Sequence, residues 1–288
     1  MNRKPFLDLL ARRVPDFLRF TSMRELGDGT RVVECRNESQ LAAMLHDLHQ
    51  EMQIGPTADS AAFREALIRA NVPMSRILAI PDQKMDGVRA QQANVELGDL
   101  GESLGVLSLI GYCGHDAQTI HPKNLLKINP RYSERGIDIL AIRLSDTEIP
   151  EEEGLCDDDD LHIYESKASG ASTESFRGLL SEAASTRASI TPSRLCGELT
   201  VARDRIAECD GHDRRARRLK WFIIEHTEET GRIQSGALLA ASQDINTAVE
   251  SAIQTAVQRP QFTTVILFQG RIEQIRQCAF AYRRISSV

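Results

Sequence analysis

Two short apolar segments, residues 136–142 and 161–167, most constrain how this chain can fold, because each has the pattern of a β-strand and contains an acidic residue. The first contains Asp138, and the second ends in Glu165 and Lys167, two residues apart. Alternate side chains of a strand share a face of the sheet, so Glu165 and Lys167 are expected on the same side. The short link between the segments predicts an antiparallel pair.

These three side chains have the chemistry of a site that cleaves phosphodiesters. Asp138 and Glu165 offer the oxygen ligands that Mg²⁺ or Mn²⁺ prefers, and Mg²⁺ needs only one or two protein carboxylates because it retains several waters. The Lys167 ammonium could orient a water or offset the charge that forms on a phosphate. Burying charge at the end of an apolar strand is costly, which favours function over the alternative of structural ion pairing.

A helix beginning near residue 94 carries leucines at the 3, 4, 3 spacing of a buried stripe. Glu102 lies off that stripe, on a side that also carries three glycines. Each glycine inside a helix costs roughly 1 kcal/mol relative to alanine, so three on one side indicate that another backbone approaches closely; a loosely formed helix start is the alternative. The glycines are Gly98, Gly101 and Gly105.

The rest of the chain alternates between strand and helix patterns, which predicts an α/β fold with helices on both faces of the sheet. The first 90 residues are expected to form an accessory region that is α/β or mostly helical. Strands are predicted at 30–35, 136–142, 161–167, 221–224 and 263–268, and helices at 39–52, 60–71, 174–188, 192–208 and 235–258.

Charge is distributed unevenly along the chain. The formal net charge of -6 disfavours phosphate binding, which normally calls for a basic surface. Acids are concentrated in residues 151–153 and 157–160, a loop that we expect to be solvated. One basic cluster is a candidate nucleic-acid contact, although a charged surface helix or loop is the ordinary explanation. This cluster contains Arg214, Arg215, Arg217, Arg218 and Lys220.

The chain has none of the long apolar segments that target a protein to a membrane. No run approaches the ~20 apolar residues of a membrane span, and the amino terminus lacks the apolar stretch of a secretory signal. The expectation is a cytoplasmic protein without a membrane partner.

Three motifs in this order resemble the PD-(D/E)xK, or restriction-endonuclease-like, nuclease superfamily. They are a Gly-x-x-Gly-Glu helix at 98–102, an Arg-Gly-Ile-Asp strand at 135–138 and the Glu-Ser-Lys strand end at 165–167. The similarity spans about residues 94–268 and is closest to the HamA-type nuclease subunits of the Hachiman antiphage system, which work beside a helicase subunit. It implies a mixed central sheet flanked by helices and a nuclease domain over residues 91–288.

The resemblance also implies roles for individual residues. Asp138 and Glu165 match the metal ligands, Lys167 the catalytic lysine, and Glu102 the helix acid that supports the site. The implied function is a Mg²⁺- or Mn²⁺-dependent DNA nuclease in antiphage defence, regulated by a helicase partner. No proline precedes Asp138, and the acidic insertion at 151–160 has no counterpart. A non-catalytic adaptor that binds a helicase or DNA ends, and a nuclease that acts on RNA, remain open alternatives.

Overall fold

A mixed sheet flanked by helices forms the centre of the protein, whose structure is a computed structural model. The α/β class predicted from the sequence is therefore confirmed. The structure describes residues 4–27, 29–54, 85–122, 137–143, 154–156, 158–171, 175–189, 195–197, 199–200, 218–219, 221–222, 232–257 and 262–280.

Across these described residues, seven strands form one sheet. In chain order they are β1 (Thr21–Gly27), β2 (Thr30–Cys35), β3 (Ile120–Pro122), β4 (Ile139–Arg143), β5 (Asp160–Ala168), β6 (Ile233–Ala241) and β7 (Thr264–Gln269). Their order across the sheet is β1-β2-β7-β6-β5-β4-β3. The four central strands run parallel, β1 pairs antiparallel at one edge, and β4 and β3 add antiparallel pairs at the other.

Helices cover both faces of this sheet. In chain order they are α1 (Lys4–Phe20), α2 (Glu38–Ile54), α3 (Met85–Cys113), α4 (Phe176–Ala188), α5 (Thr247–Val257) and α6 (Ile272–Ala279). We name the two faces of the sheet after the helices α3 and α4 that cover them. On the α3 face, Tyr164 and Leu238 pack against helices α1, α2, α3 and α6. The α4 face, which carries Leu239 and Val265, packs against α4 and α5. None of the helices in the described ranges is long and apolar enough to cross a bilayer.

The described part of the first 90 residues is α/β and shares the sheet with the rest of the chain. Strand β2 pairs in parallel with β7, and Val32 lies opposite Leu267. Leu41 and Leu45 of α2 are buried in the same apolar cluster as Leu107 of α3. The strand predicted at 30–35 and the helix predicted at 39–52 are both confirmed.

Two elements predicted from the sequence are wrong. Trp221 and Phe222 lie in helical turns rather than in a strand. The segment expected to be one long helix at 235–258 is instead β6 followed by α5. Leu238 and Leu239 are buried on opposite faces of the sheet, so this strand lacks the polar alternation that would have marked it.

The helix expected at 60–71, and most of the helix expected at 192–208, lie outside the described residues. The helix predicted at 174–188 is confirmed as α4, and the side chain of Ser175 caps it by accepting a 3.1 Å hydrogen bond from the amide of Gly178. The close backbone approach predicted for α3 is confirmed at one of the three glycines, Gly101, where an added Cβ would lie 3.7 Å from the backbone nitrogen of Ala168. At Gly105 only side-chain atoms of Leu238 come close, and a Cβ at Gly98 would have no heavy atom within 4 Å. A Cβ on Gly101 would lie 3.0 Å from Ala168 Cβ, and one on Gly105 would lie 2.5 Å from a Leu238 methyl carbon.

Candidate active site

The β4–β5 hairpin brings the two predicted metal ligands together. Ile139 lies opposite Tyr164 in this antiparallel pair, so Asp138, one residue earlier, lies beside Glu165. The amide of Ser166 donates a 2.9 Å hydrogen bond to Oδ2 of Asp138. Pairing of the two strands therefore fixes the aspartate carboxylate against the end of β5.

Lys167 connects the two acids. Its Nζ lies 4.0 Å from Asp138 Oδ2 and 3.8 Å from Glu165 Oε2. Both distances exceed the about 2.7–3.2 Å of an N–H···O hydrogen bond, so the ammonium faces both carboxylates without closing on either. The side chain of Glu165 is 1% exposed and that of Lys167 is 18% exposed. The site is thus largely shielded from water and opens on the side of the lysine.

Glu165 and Lys167 project to the α4 face, as their alternate spacing predicted. They lie opposite Ala237 and Leu239 of β6, and both of these residues belong to the apolar cluster of the α4 face. The small side chain of Ala237 leaves the buried glutamate room beside the neighbouring strand. Glu165 and Lys167 are therefore two charged side chains on a face of the sheet whose neighbouring residues, including Ile163, are apolar.

Glu102 lies on α3 and is 6% exposed. It directly follows Gly101, where α3 closes on Ser166 and Ala168. The helix acid therefore lies on the segment of α3 that crosses the carboxyl end of β5. The distances between their polar groups join Asp138, Glu165 and Lys167 into one centre, whereas a supporting role for Glu102 stays a prediction.

The side chains of this centre fit a divalent cation. Two buried carboxylates face a single ammonium, so the formal charge of Asp138, Glu165 and Lys167 together is negative. Within the described ranges, no group of three His, Cys, Asp or Glu side chains has the arrangement of a metal site, so a cation would have two side-chain ligands and complete its shell with water or substrate. Mg²⁺ is commonly bound in this way.

Arg218 does not have the exposed position expected of a nucleic-acid contact. It is 4% exposed, and its guanidinium donates hydrogen bonds to the Asp159 carboxylate and, over 2.9 Å, to Cys156 Sγ. Asp159 is 1% exposed, and a buried carboxylate requires a partner of opposite charge. The other members of the basic cluster lie outside the described residues: Arg214, Arg215, Arg217 and Lys220.

The acidic loop is only partly solvated, contrary to expectation. Asp158 is exposed, whereas Asp159 and Asp160 are buried. Arg143 on β4 makes a 2.9 Å ion pair with Asp160, and Arg218 compensates Asp159. The end of the acidic run thus helps to anchor the start of β5.

A second polar cluster, which was not predicted from the sequence, lies on the α3 face of β5. His162 Nε2 is 3.2 Å from Asp160 Oδ1, and His115 Nε2 is 3.1 Å from the Tyr164 hydroxyl. Burial, followed by the nearby charge of His162, lowers the pKa of His115 to about 4. The alternate positions 160, 162 and 164 were the available signal, because they project to one face.

Neither protein-family models nor curated proteins give a match to this chain. Its functional interpretation therefore depends on the chemistry and geometry of its own residues. The best-defined group among them is the pair of buried acids that face Lys167.

Proposed function

We propose that this chain is a divalent-metal-dependent nuclease that hydrolyses phosphodiester bonds of DNA. One observation carries the proposal: the Lys167 ammonium lies within 4.0 Å of two buried carboxylates, those of Asp138 and Glu165, at the end of one strand. A structural ion pair would be expected to close to hydrogen-bond distance. Distances of 3.8 and 4.0 Å instead suit side chains that bind a cation and a phosphate.

Each residue has a distinct task in this reaction. Asp138 and Glu165 would hold Mg²⁺ or Mn²⁺, and the Ser166 amide keeps the Asp138 carboxylate turned towards the site. A bound divalent cation supplies Lewis acidity and a nucleophile at neutral pH. Lys167 orients the attacking water and offsets the negative charge that develops on the phosphate. Burial strengthens these electrostatic interactions, because little water is present to screen them.

We further propose that the enzyme acts in bacterial antiphage defence beside a helicase subunit, as its motifs imply. The net charge of -6 supports a partner, because a protein with this charge gains little non-specific attraction to DNA. The mixed sheet with helices on both faces is consistent with a restriction-endonuclease-like fold. Under this proposal, the helicase would deliver the strand that Lys167 and its neighbouring acids cut.

A non-catalytic adaptor is the second candidate function. The observation that favours it is the lack of a three-residue His, Cys, Asp or Glu metal group in the described part of the chain. An adaptor has no need for a cation at Asp138 and Glu165. Titration with Mn²⁺ separates the two candidates, because only the nuclease should bind the ion in wild-type form and lose that binding in Asp138→Asn.

The nuclease proposal is tested by incubating wild-type protein and Lys167→Ala with labelled DNA and RNA in Mg²⁺, Mn²⁺ or EDTA. The wild type should cut DNA only with the divalent ions, and the variant should be slower by at least about 100-fold. Arg12→Ala, which removes an exposed cation on α1, is the matched control and should cut normally. Equal cutting by wild type and Lys167→Ala would reject the proposal, and preferential cutting of RNA would reassign the substrate.

A further inference from the structure

The connections that leave the parallel strands change faces between β6 and β7. β6 leads into α5, whose Ile253 packs on the α4 face with Leu239. β7 leads into α6, whose Ile272 packs on the α3 face with Leu238. Chains that leave neighbouring parallel strands towards opposite faces open a crevice at the carboxyl ends of those strands, and ligands of α/β proteins bind in such crevices.

The residues that follow β6 join two helices at these carboxyl ends. The Ile272 amide, at the start of α6, donates a 3.1 Å hydrogen bond to Ser242 Oγ. The Phe176 amide, at the start of α4, donates a 2.8 Å hydrogen bond to Gln243 Oε1. Two consecutive residues therefore attach the first turns of two helices that belong to opposite faces of the sheet.

An exposed arginine lies beside each of these attachment points. Arg177 follows Phe176, is exposed, and makes no ion pair with another described residue. The Arg271 side chain precedes Ile272 and is 75% exposed, with its Nε 3.5 Å from Glu38 Oε2. Exposed ion pairs of this kind contribute little stability. Both guanidinium groups are therefore available to bind a phosphate through paired hydrogen bonds.

The acidic residues at this edge are already bonded to protein groups. The Asp244 carboxylate accepts a 3.0 Å hydrogen bond from the Gln269 side chain. Glu38 accepts a 2.9 Å hydrogen bond from the Arg271 amide. The Glu273 carboxylate, which lies near Gly170 at the same edge, makes a 2.6 Å ion pair with Arg276.

The end of β5 that carries the candidate active site adjoins the end of β6. Ser169, two residues after Lys167, donates its amide to the Ala240 carbonyl over 2.9 Å and so joins the end of β5 to the end of β6. Neighbouring strands are about 4.8 Å apart, so the β6–β7 crevice lies roughly 5–10 Å across the sheet from Lys167. A few nucleotides, at about 3.4 Å of rise each, span this distance.

We infer that the nucleic-acid strand cut beside Lys167 continues across the carboxyl ends of β6 and β7, where Arg177 and Arg271 bind the phosphates that flank the scissile one. This inference rests on the proposed nuclease function, and it specifies the path along which the substrate strand leaves the active site. The ligand is recognised by its phosphodiester backbone, which DNA and RNA share. Neither arginine takes part in the chemistry at Asp138 and Glu165.

Binding is measured without cleavage, by fluorescence anisotropy of labelled single-stranded and duplex DNA, and of RNA, in EDTA over a series of salt concentrations. The Arg177→Ala/Arg271→Ala variant should bind about tenfold or more weakly, and the slope of its log-affinity against log salt should be shallower by about one for each phosphate that it no longer binds. Arg12→Ala/Arg19→Ala removes two exposed arginines from α1 and the same net charge. This matched control should bind like the wild type.

Three outcomes overturn the inference: no binding by the wild type, unchanged binding by the crevice variant, or an equal loss in the α1 control. Cleavage by wild type and Lys167→Ala is measured in parallel. If Lys167→Ala abolishes cleavage but the crevice variant binds normally, the inference fails and the nuclease function stands. If the crevice arginines control binding but the wild type cuts nothing with Mg²⁺ or Mn²⁺, the nuclease function fails and the nucleic-acid site stands.

Discussion

The amide of Ser166 donates a 2.9 Å hydrogen bond to Oδ2 of Asp138, so the residue between Glu165 and Lys167 holds the third member of the site. The opposite side of Ser166 faces α3, where its Oγ would lie 3.0 Å from a Cβ on Gly101. Ser166 therefore lies against α3 on one side and holds the Asp138 carboxylate through its backbone amide. We expect a displacement of α3 at Gly101 to shift the end of β5 and, with it, Glu165 and Lys167.

Gly101→Ala should lower both stability and cleavage. The new methyl group would lie 3.0 Å from Ala168 Cβ, and because that atom is fixed to the strand, α3 and β5 must separate. Overpacking of this kind costs typically about 1–3 kcal/mol, which outweighs the roughly 1 kcal/mol that alanine gains over glycine in a helix. Urea unfolding and a DNA cleavage assay measure the two effects.

Gly98→Ala is the matched control on the same helix. A Cβ at Gly98 has no heavy atom within 4 Å, so only the helix propensity changes, and the variant should gain up to about 1 kcal/mol. Cleavage should be unchanged. A Gly101→Ala variant as stable as Gly98→Ala would show that α3 can move away from β5 without disturbing the site.

Asp159→Asn should destabilise the protein by about 3 kcal/mol or more. The substitution keeps an oxygen that can accept the Cys156 amide, but it removes the negative charge that faces the buried Arg218 guanidinium. Breaking a buried ion pair from one side typically costs about 3–5 kcal/mol. The measurement is the free energy of unfolding in urea.

Asp16→Ala provides the comparison for that prediction. It breaks the exposed Arg19–Asp16 pair, whose side chains are 69% and 39% exposed, and such pairs are worth less than about 1 kcal/mol. Similar losses in the two variants would argue that the Arg218–Asp159 pair is solvated in solution. That result would also return Arg218 to the set of candidate phosphate contacts.

The stability of the protein should fall as the pH drops from 6.5 towards 4, in part because of His115. Burial lowers the pKa of His115 from 6.5 to about 4, so in this range the unfolded chain binds a proton that the folded chain excludes. The favourable contribution is complete above pH 6.5 and is lost progressively below it. His162 and Arg143 disfavour the charged imidazole further, whereas Asp160 favours it.

His115→Gln isolates this effect, because glutamine does not titrate and can still reach the Tyr164 hydroxyl. The difference in unfolding free energy between pH 7 and pH 5 should be smaller in the variant than in the wild type. Equal pH dependence in the two proteins would show that His115 titrates in the folded state with an ordinary pKa.

The sequence was sufficient to predict that Glu165 and Lys167 share a face, because alternate residues of a strand do so, and the short link predicted the antiparallel pairing that brings Asp138 beside them. The same pattern predicted β7, where threonine, valine and isoleucine favour a strand. It could not predict β6, because alanine and leucine also form helices and both faces of the strand are buried. It also could not pair Arg218 with Asp159, since that contact depends on how distant segments pack.

The crevice arginines were beyond sequence reasoning for a similar reason. Arg177 and Arg271 are far apart in the chain, and nothing local marks either as a phosphate contact. Both arginines lie at the same edge of the sheet because β6 lies between β5 and β7 in the strand order. That order depends on long-range pairing, for which local sequence patterns give no signal.

Mn²⁺ should raise the thermal stability of the wild type even when no nucleic acid is present. A ligand that binds only the folded state stabilises it by RT ln(1 + [L]/Kd), or about 2.7 kcal/mol at 100 times Kd. The proposed ligands are Asp138 and Glu165, so Asp138→Asn should show no response to the ion. Glu165→Gln should also lose the response, and in EDTA it should be at least as stable as the wild type, because one of two neighbouring buried carboxylates is neutralised.

Thermal unfolding in EDTA, Mn²⁺ and K⁺ at matched ionic strength makes this measurement independent of catalysis. Lys167→Ala is the decisive control, because it removes the ammonium and keeps both carboxylates. Its response to Mn²⁺ should equal or exceed that of the wild type, since the like charge beside the cation is gone. A response that survives in Asp138→Asn and Glu165→Gln would place the ion elsewhere and remove the basis for metal-dependent cleavage at this strand end.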